Sequence, residues 1–154
     1  MDHRLRPVWH GARLAGAAFT VRTPAGEQAA VREAAERAPA GSVIVVDAGG
    51  EVERALWGGR MARLALDRGL AGAVLDGAVR DLDEIEELGF PVFALAAAPT
   101  PPGRERPGEL EVEITCGGIA VAPGDLVYGD SDGVVAIPRA EHADLLERAR
   151  SRAS

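Results

Sequence analysis

Apolar residues in this chain fall into short unbroken runs, separated by stretches where they recur at helical spacing. Residues 13–22 hold Leu14, Ala15, Ala17, Ala18, Phe19 and Val21 around Gly16, which predicts a strand. After Pro24 the spacing of Val31, Ala34, Ala35 and Ala38 predicts a helix, stopped by Pro39 and Gly41. Ser42 to Asp47 has the composition of a buried strand, broken by Gly49-Gly50. A second helix is predicted over 60–68, with Met61, Leu64 and Ala65 on its apolar face and Gly69 just past its end. A strand at 72–76 follows, then a short helix from Leu82 to Leu88 and a strand from Pro91 to Leu95.

The stretch 99–108 carries four prolines and reads as a surface loop, the best candidate for mobility. Beyond it, strands are predicted at 110–115, 118–122, 126–128 and 133–137, separated by turns such as Pro123-Gly124-Asp125. A terminal helix is predicted over about 139–152, carrying Leu145, Leu146 and Ala149, with Asp144 and Arg148 paired across one turn. The strand–helix–strand order from 42 to 76 predicts a right-handed parallel unit, and the strand-rich tail predicts antiparallel pairing beside it. The expected class is therefore mixed α/β, with more than one sheet or one strongly bent sheet. At 154 residues, with no internal repeat, a single domain over 1–154 is expected.

Composition narrows the function. Aromatics make up only 4%, so the core is built from Ala, Val, Leu and Ile. A net charge of −7 argues against nucleic acid as the main partner, since phosphate neutralisation needs a basic face. All 17 basic residues are arginine, which excludes lysine Schiff bases, pyridoxal-phosphate lysines and Walker A lysines. The one cysteine, Cys116, has no disulfide partner within the chain and reads as a buried structural thiol. His3, His10 and His142 show no metal-ligand spacing, and no G-x-S-x-G or complete G-x-G-x-x-G is present. The N-terminus has no apolar stretch of signal-peptide length and no segment approaches membrane-spanning length, so a cytoplasmic protein without membrane contact is expected.

Two loops carry the candidate chemistry. One is Asp76-Gly77-Ala78-Val79-Arg80-Asp81, where a strand is expected to end in Asp-Gly and a turn to present a cation beside a carboxylate. Asp81 can hold a divalent metal, and Arg80 a carboxylate or enolate. The other is Gly58-Gly59-Arg60-Met61, whose unpaired backbone N–H groups at a helix start can receive a carboxylate. Because helix and following strand run antiparallel, both loops face one side and can share a pocket. The acidic cluster Asp83, Glu84, Glu86 and Glu87 reads as a solvated helix face.

The blocks Gly41–Asp47, Gly58–Ala62, Gly72–Asp81, Pro91–Ala94, Gly117–Asp130 and Asp132–Val135 together resemble the RraA-like family, over roughly residues 13–138. That family includes regulators of ribonuclease activity and metal-dependent 4-hydroxy-4-methyl-2-oxoglutarate aldolases with oxaloacetate decarboxylase activity. Some members carry the label demethylmenaquinone methyltransferase, but no S-adenosylmethionine motif is visible in this sequence. The resemblance implies a swivelling β/β/α domain assembled into homotrimers or hexamers with pockets between subunits. It implies that Asp81 binds Mg²⁺ or Mn²⁺, that Arg80 contacts substrate, and that Gly58, Gly59, Arg60 and Met61 bind the pyruvyl carboxylate through their backbone.

The implied activity is carbon–carbon cleavage of pyruvyl 2-oxo acids through a metal-stabilised pyruvate enolate. The alternative is a non-catalytic regulator acting by protein–protein contact; the family's namesake lacks the metal aspartate, and this chain has Asp81. Many enzymatic members carry an acid where this chain has Gly59. Aldol cleavage needs a base and decarboxylation does not, so decarboxylase activity is expected to survive better, and Gly59→Asp to favour aldol cleavage.

Overall fold

A computed structural model describes residues 1–154. Its strands are β1 (Arg6–Pro7), β2 (Leu14–Arg22), β3 (Val43–Asp47), β4 (Ala55–Trp57), β5 (Gly72–Val79), β6 (Val92–Ala97), β7 (Glu109–Leu110), β8 (Ile114–Cys116), β9 (Ile119–Val121), β10 (Leu126–Asp130) and β11 (Gly133–Ile137). Its helices are α1 (Ala29–Arg37), α2 (Gly59–Asp67), α3 (Leu82–Leu88) and α4 (His142–Ala153), the last preceded by a 3-10 turn, Arg139–Glu141.

Nine strands form one sheet, ordered β1-β6-β5-β3-β2-β10-β11, with β4 added to β5 and β7 to β2; β8 and β9 form a separate hairpin. The neighbours β2, β3, β5 and β6 are parallel, whereas β10, β11 and β1 pair antiparallel, which is the mixed class the sequence predicts. The sheet bends until its two edges meet: Arg6 Nη1 reaches the Ser131 carbonyl at 3.4 Å, and the Met1 amine donates to the Val134 carbonyl at 3.1 Å.

Strand alternation divides the core in two. Ile44, Val46, Ala73, Leu75, Val92 and Ala94 face α1, α2 and α3 in the larger cluster. Their neighbours Val43, Val45, Val74 and Phe93 point the other way and fill the inside of the bend with Leu5, Ile114 and Cys116. Being apolar on both faces, β3 reads as one continuous hydrophobic run.

Three expectations are corrected. The strand expected to end at Asp76 continues to Val79, so Asp76-Gly77 is an irregularity within β5 and not its terminal turn. The register with β6 shifts between Leu75 and Ala78, after which Ala78 and Val79 pair with both β6 and the unpredicted β4. The strand expected over 110–115 is split into β7 and β8, because Glu111 takes a left-handed φ of 57° and turns the chain. The loop 99–108 is tied down, since Glu27 Oε2 accepts the N–H groups of Glu105 and Arg106 at 3.1 and 3.2 Å. Backbone bonds from Ala55 to Thr100, Gly103 to Gly26 and Gln28 to Gly103 complete its attachment.

Candidate active site

Strands β4 and β5 are parallel neighbours and leave the sheet on the same side, one into α2 through Gly58, the other into α3 through Arg80 and Asp81. Their pairing continues one step further, with the Arg80 N–H donating to the Trp57 carbonyl at 2.9 Å. Trp57 is fully buried and stacked on Phe90, with ring centroids 5.9 Å apart, which fixes the β4 side of the junction. The two candidate loops therefore meet, held edge to edge by backbone.

Asp81 lies in the left-handed region (φ 59°, ψ 43°), which aspartate tolerates better than most residues. It stands at the cap position of α3, where its carbonyl accepts from the Ile85 N–H at 3.0 Å, yet its side chain caps nothing on that helix. Instead Oδ2 accepts the Gly59 N–H at 3.0 Å. That N–H is the first of α2 and precedes the helix's first internal bond, from Ala62 to the Gly58 carbonyl at 3.0 Å. A carboxylate there is favoured by the unpaired donors and by the helix dipole. The helix start thus commits one donor to Asp81, while the N–H groups of Arg60 and Met61 stay ahead of the first internal bond. Asp81 Oδ1 makes no hydrogen bond within the chain.

Glycine at 58 leaves room for this approach, and glycine at 59 leaves room for a second carboxylate. A Cβ on Gly58 would stand 2.8 Å from Asp81 Oδ2 and 3.3 Å from Arg80 Cγ. A Cβ on Gly59 would overlap the carboxyl group of Glu84. The space that an acid at position 59 would fill is already taken by an acid from α3.

A cleft of about 810 Å³ opens over this junction. Besides Gly58, Arg60, Met61, Arg80 and Asp81, its walls include Gln28, Arg32 and Glu36 from the α1 region, Glu84 from α3, and Arg104 from the tied loop. Arg32 is paired with Glu36 at 3.1 Å, but Arg60, Arg80 and Arg104 have no ion pair within the chain. Three uncompensated guanidinium groups suit an anionic ligand. No group of three or more His, Cys, Asp or Glu side chains in this chain is placed to hold a metal ion together. A magnesium-like ion, held by one or two carboxylates with waters retained, fits the free Oδ1 of Asp81.

The sequence pattern marks neither Gln28 nor Glu84 for the pocket. Glu84 stands on the acidic face of α3, which is exposed as expected, and Arg104 on the loop 99–108. The structure brings both to the cleft.

Mixed parallel and antiparallel strands around a bent sheet, with the cleft at the ends of two parallel strands, define a swivelling β/β/α domain. The family model described as "RraA-like: Aldolase/RraA" matches residues 1–136, and the chain belongs to this family. It is 42% identical to a Thermus thermophilus protein named 4-hydroxy-4-methyl-2-oxoglutarate aldolase, over 82% of this chain and 77% of that protein. Among solved structures it is similar to the RNA-processing inhibitor RraA from Thermus thermophilus, with a TM-score of 0.83 and 38% identity over 90% of this chain and 84% of that one. It is also similar to a Geobacillus kaustophilus protein described as S-adenosylmethionine: 2-dimethylmenaquinone methyltransferase, with a TM-score of 0.82 and 36% identity over 86% and 82% of the two chains.

Proposed function

We propose that this chain is a divalent-metal-dependent carbon–carbon lyase acting on pyruvyl 2-oxo acids, by oxaloacetate decarboxylation, retro-aldol cleavage of 4-hydroxy-4-methyl-2-oxoglutarate, or both. The observation that supports it most is the Gly59–Asp81 bond, which turns an acidic side chain away from its own helix and into a cleft beside the unpaired Arg80. The name of the 42% identical aldolase points the same way.

Breaking the bond next to a 2-oxo acid leaves a pyruvate enolate, whose negative charge must be stabilised where it develops. Asp81 would hold Mg²⁺ or Mn²⁺, which would supply Lewis-acid stabilisation of that charge. Arg80 adds a fixed positive charge in the same cleft, and no lysine exists to form an imine instead. The N–H groups of Arg60 and Met61 receive the substrate carboxylate, as unpaired donors at a helix start do. Arg104 lies in the cleft wall where a group beyond the pyruvyl half would reach.

Pyruvate release from oxaloacetate tests this directly. Release is expected with Mg²⁺, and is expected to be lost with EDTA and in Asp81→Asn. Asparagine tolerates the left-handed backbone and still accepts the Gly59 N–H, so the thermal midpoint should move by only a few degrees. Activity insensitive to both EDTA and Asp81→Asn would defeat the reading.

A second reading, a non-catalytic regulator, is favoured by the name of the 38% identical RNA-processing inhibitor. Wild-type protein that neither releases pyruvate nor binds Mn²⁺ would transfer the weight to it. In either case we propose an oligomer, joined through apolar groups left exposed on the β10–β11 hairpin (Tyr128 and Val135) and on α4 (Leu146).

A further inference from the structure

Aldol cleavage requires a group that accepts a proton, and the cleft wall offers few. It contains no histidine, cysteine, serine, threonine or tyrosine; its carboxylates are Glu36, Asp81 and Glu84. Glu36 is engaged with Arg32 at 3.1 Å. Asp81 accepts the Gly59 N–H and is the residue assigned to the metal. Glu84 alone has neither a hydrogen bond nor an ion pair within the chain. It stands three residues after Asp81, in the first turn of α3. Its carboxyl group lies directly against the Gly59 α-carbon, in a space that any other residue at 59 would occupy.

We infer that Glu84 is the base of the aldol reaction in this chain, its carboxylate seated over Gly59. This rests on the lyase reading above. The hydroxyl proton on C4 of the 4-hydroxy-2-oxo acid passes to a Glu84 carboxylate oxygen, and the O–H electron pair becomes the new C4 carbonyl. The C3–C4 bond breaks and its pair forms the enolate of the pyruvyl half. Glu84 then returns the proton to C3, which gives the second pyruvate and restores the carboxylate. Decarboxylation of oxaloacetate releases CO₂ to the same enolate and requires no base in the bond-breaking step.

The test reads the ratio of aldol cleavage to oxaloacetate decarboxylation, both with Mg²⁺, together with Mn²⁺ affinity from the spin-resonance signal of the free ion. In Glu84→Gln the ratio is expected to fall about a hundredfold, the scale of a lost general base, with Mn²⁺ affinity within about threefold of wild type. Gly59→Ala leaves Glu84 in the chain but displaces its carboxylate, and should lower the ratio in the same direction. Adding Gly59→Asp to Glu84→Ala returns a carboxylate to that space, and should raise the ratio about tenfold over Glu84→Ala alone.

An unchanged ratio in Glu84→Gln would overturn the inference, as would a tenfold loss of Mn²⁺ affinity, which would make Glu84 a metal holder. So would wild-type protein that decarboxylates but does not cleave the aldol substrate. Wild type inactive on both substrates would instead overturn the lyase reading itself.

Discussion

Gly58→Ala probes the junction with the smallest change available. The backbone at Gly58 is extended (φ −153°, ψ −167°), a conformation alanine adopts freely. On backbone grounds alone the substitution would stabilise the chain by about 0.4–1 kcal/mol, through the unfolded state. The added methyl, however, would stand 2.8 Å from Asp81 Oδ2, against 3.4 Å for an ordinary contact, so one group must retreat by about 0.6 Å. Arg80 offers little relief, because its Cγ is already 3.3 Å from the same point and its N–H is fixed to Trp57. The carboxylate of Asp81 therefore moves, and its 3.0 Å bond to Gly59 lengthens or breaks.

A displacement of about 1 Å in a catalytic group can cost about a hundredfold in rate, so this one should cost about tenfold in kcat/KM, or about 1.4 kcal/mol of transition-state stabilisation. Steady-state oxaloacetate decarboxylation and Mn²⁺ titration, run beside thermal melts, separate the terms. The expected result is the tenfold loss and weaker Mn²⁺ binding with a melting midpoint within a few degrees of wild type. Wild-type kcat/KM and Mn²⁺ affinity in a folded Gly58→Ala protein would show that Asp81's position does not govern the site.

Two further outcomes follow from the structure. Burial raises the Asp76 carboxyl above its ordinary 3.8, with Asp47 and Asp2 adding to the effect and the Gly117 N–H and Arg4 opposing it. The folded chain therefore holds this proton more tightly than the unfolded chain, so Asp76 carries no penalty well below pH 3.8 and a growing one as pH rises through its folded value. Asp76→Asn keeps an acceptor for Gly117 and should raise the melting midpoint at about pH 7, with the gain vanishing towards about pH 3.5. A gain independent of pH, or a loss at neutrality, would refute this. Arg104→Ala should raise KM for a dicarboxylic substrate about tenfold while changing kcat less, since one charge-assisted contact is worth about 1.5–3 kcal/mol and Arg104 is solvent-exposed. A KM equal to wild type would remove Arg104 from substrate binding.

What was legible in the sequence was whatever local pattern could carry. The unbroken apolar run of β3 and the periodic helices α1 and α2 announce themselves, because burial on two faces or on one stripe fixes residue type at each position. Strand β4 did not, since Ala55-Leu56-Trp57 is too short to show a period and exists because β5 extends past Asp76-Gly77 to meet it. The Arg80-Asp81 pair and the glycines at 58 and 59 were legible as two loops, and the antiparallel course of α2 and β5 was enough to bring them together. What no local pattern could show was which glycine serves which carboxylate. Gly58 makes room for Asp81, and Gly59 for Glu84, contacts that span more than twenty residues of sequence and depend on where α3 starts. Read alone, Gly59 is an acid missing from the site and Glu84 one more charge on a wet helix. Set against each other in the cleft, they describe one carboxylate, delivered from a different strand–helix junction into the same space.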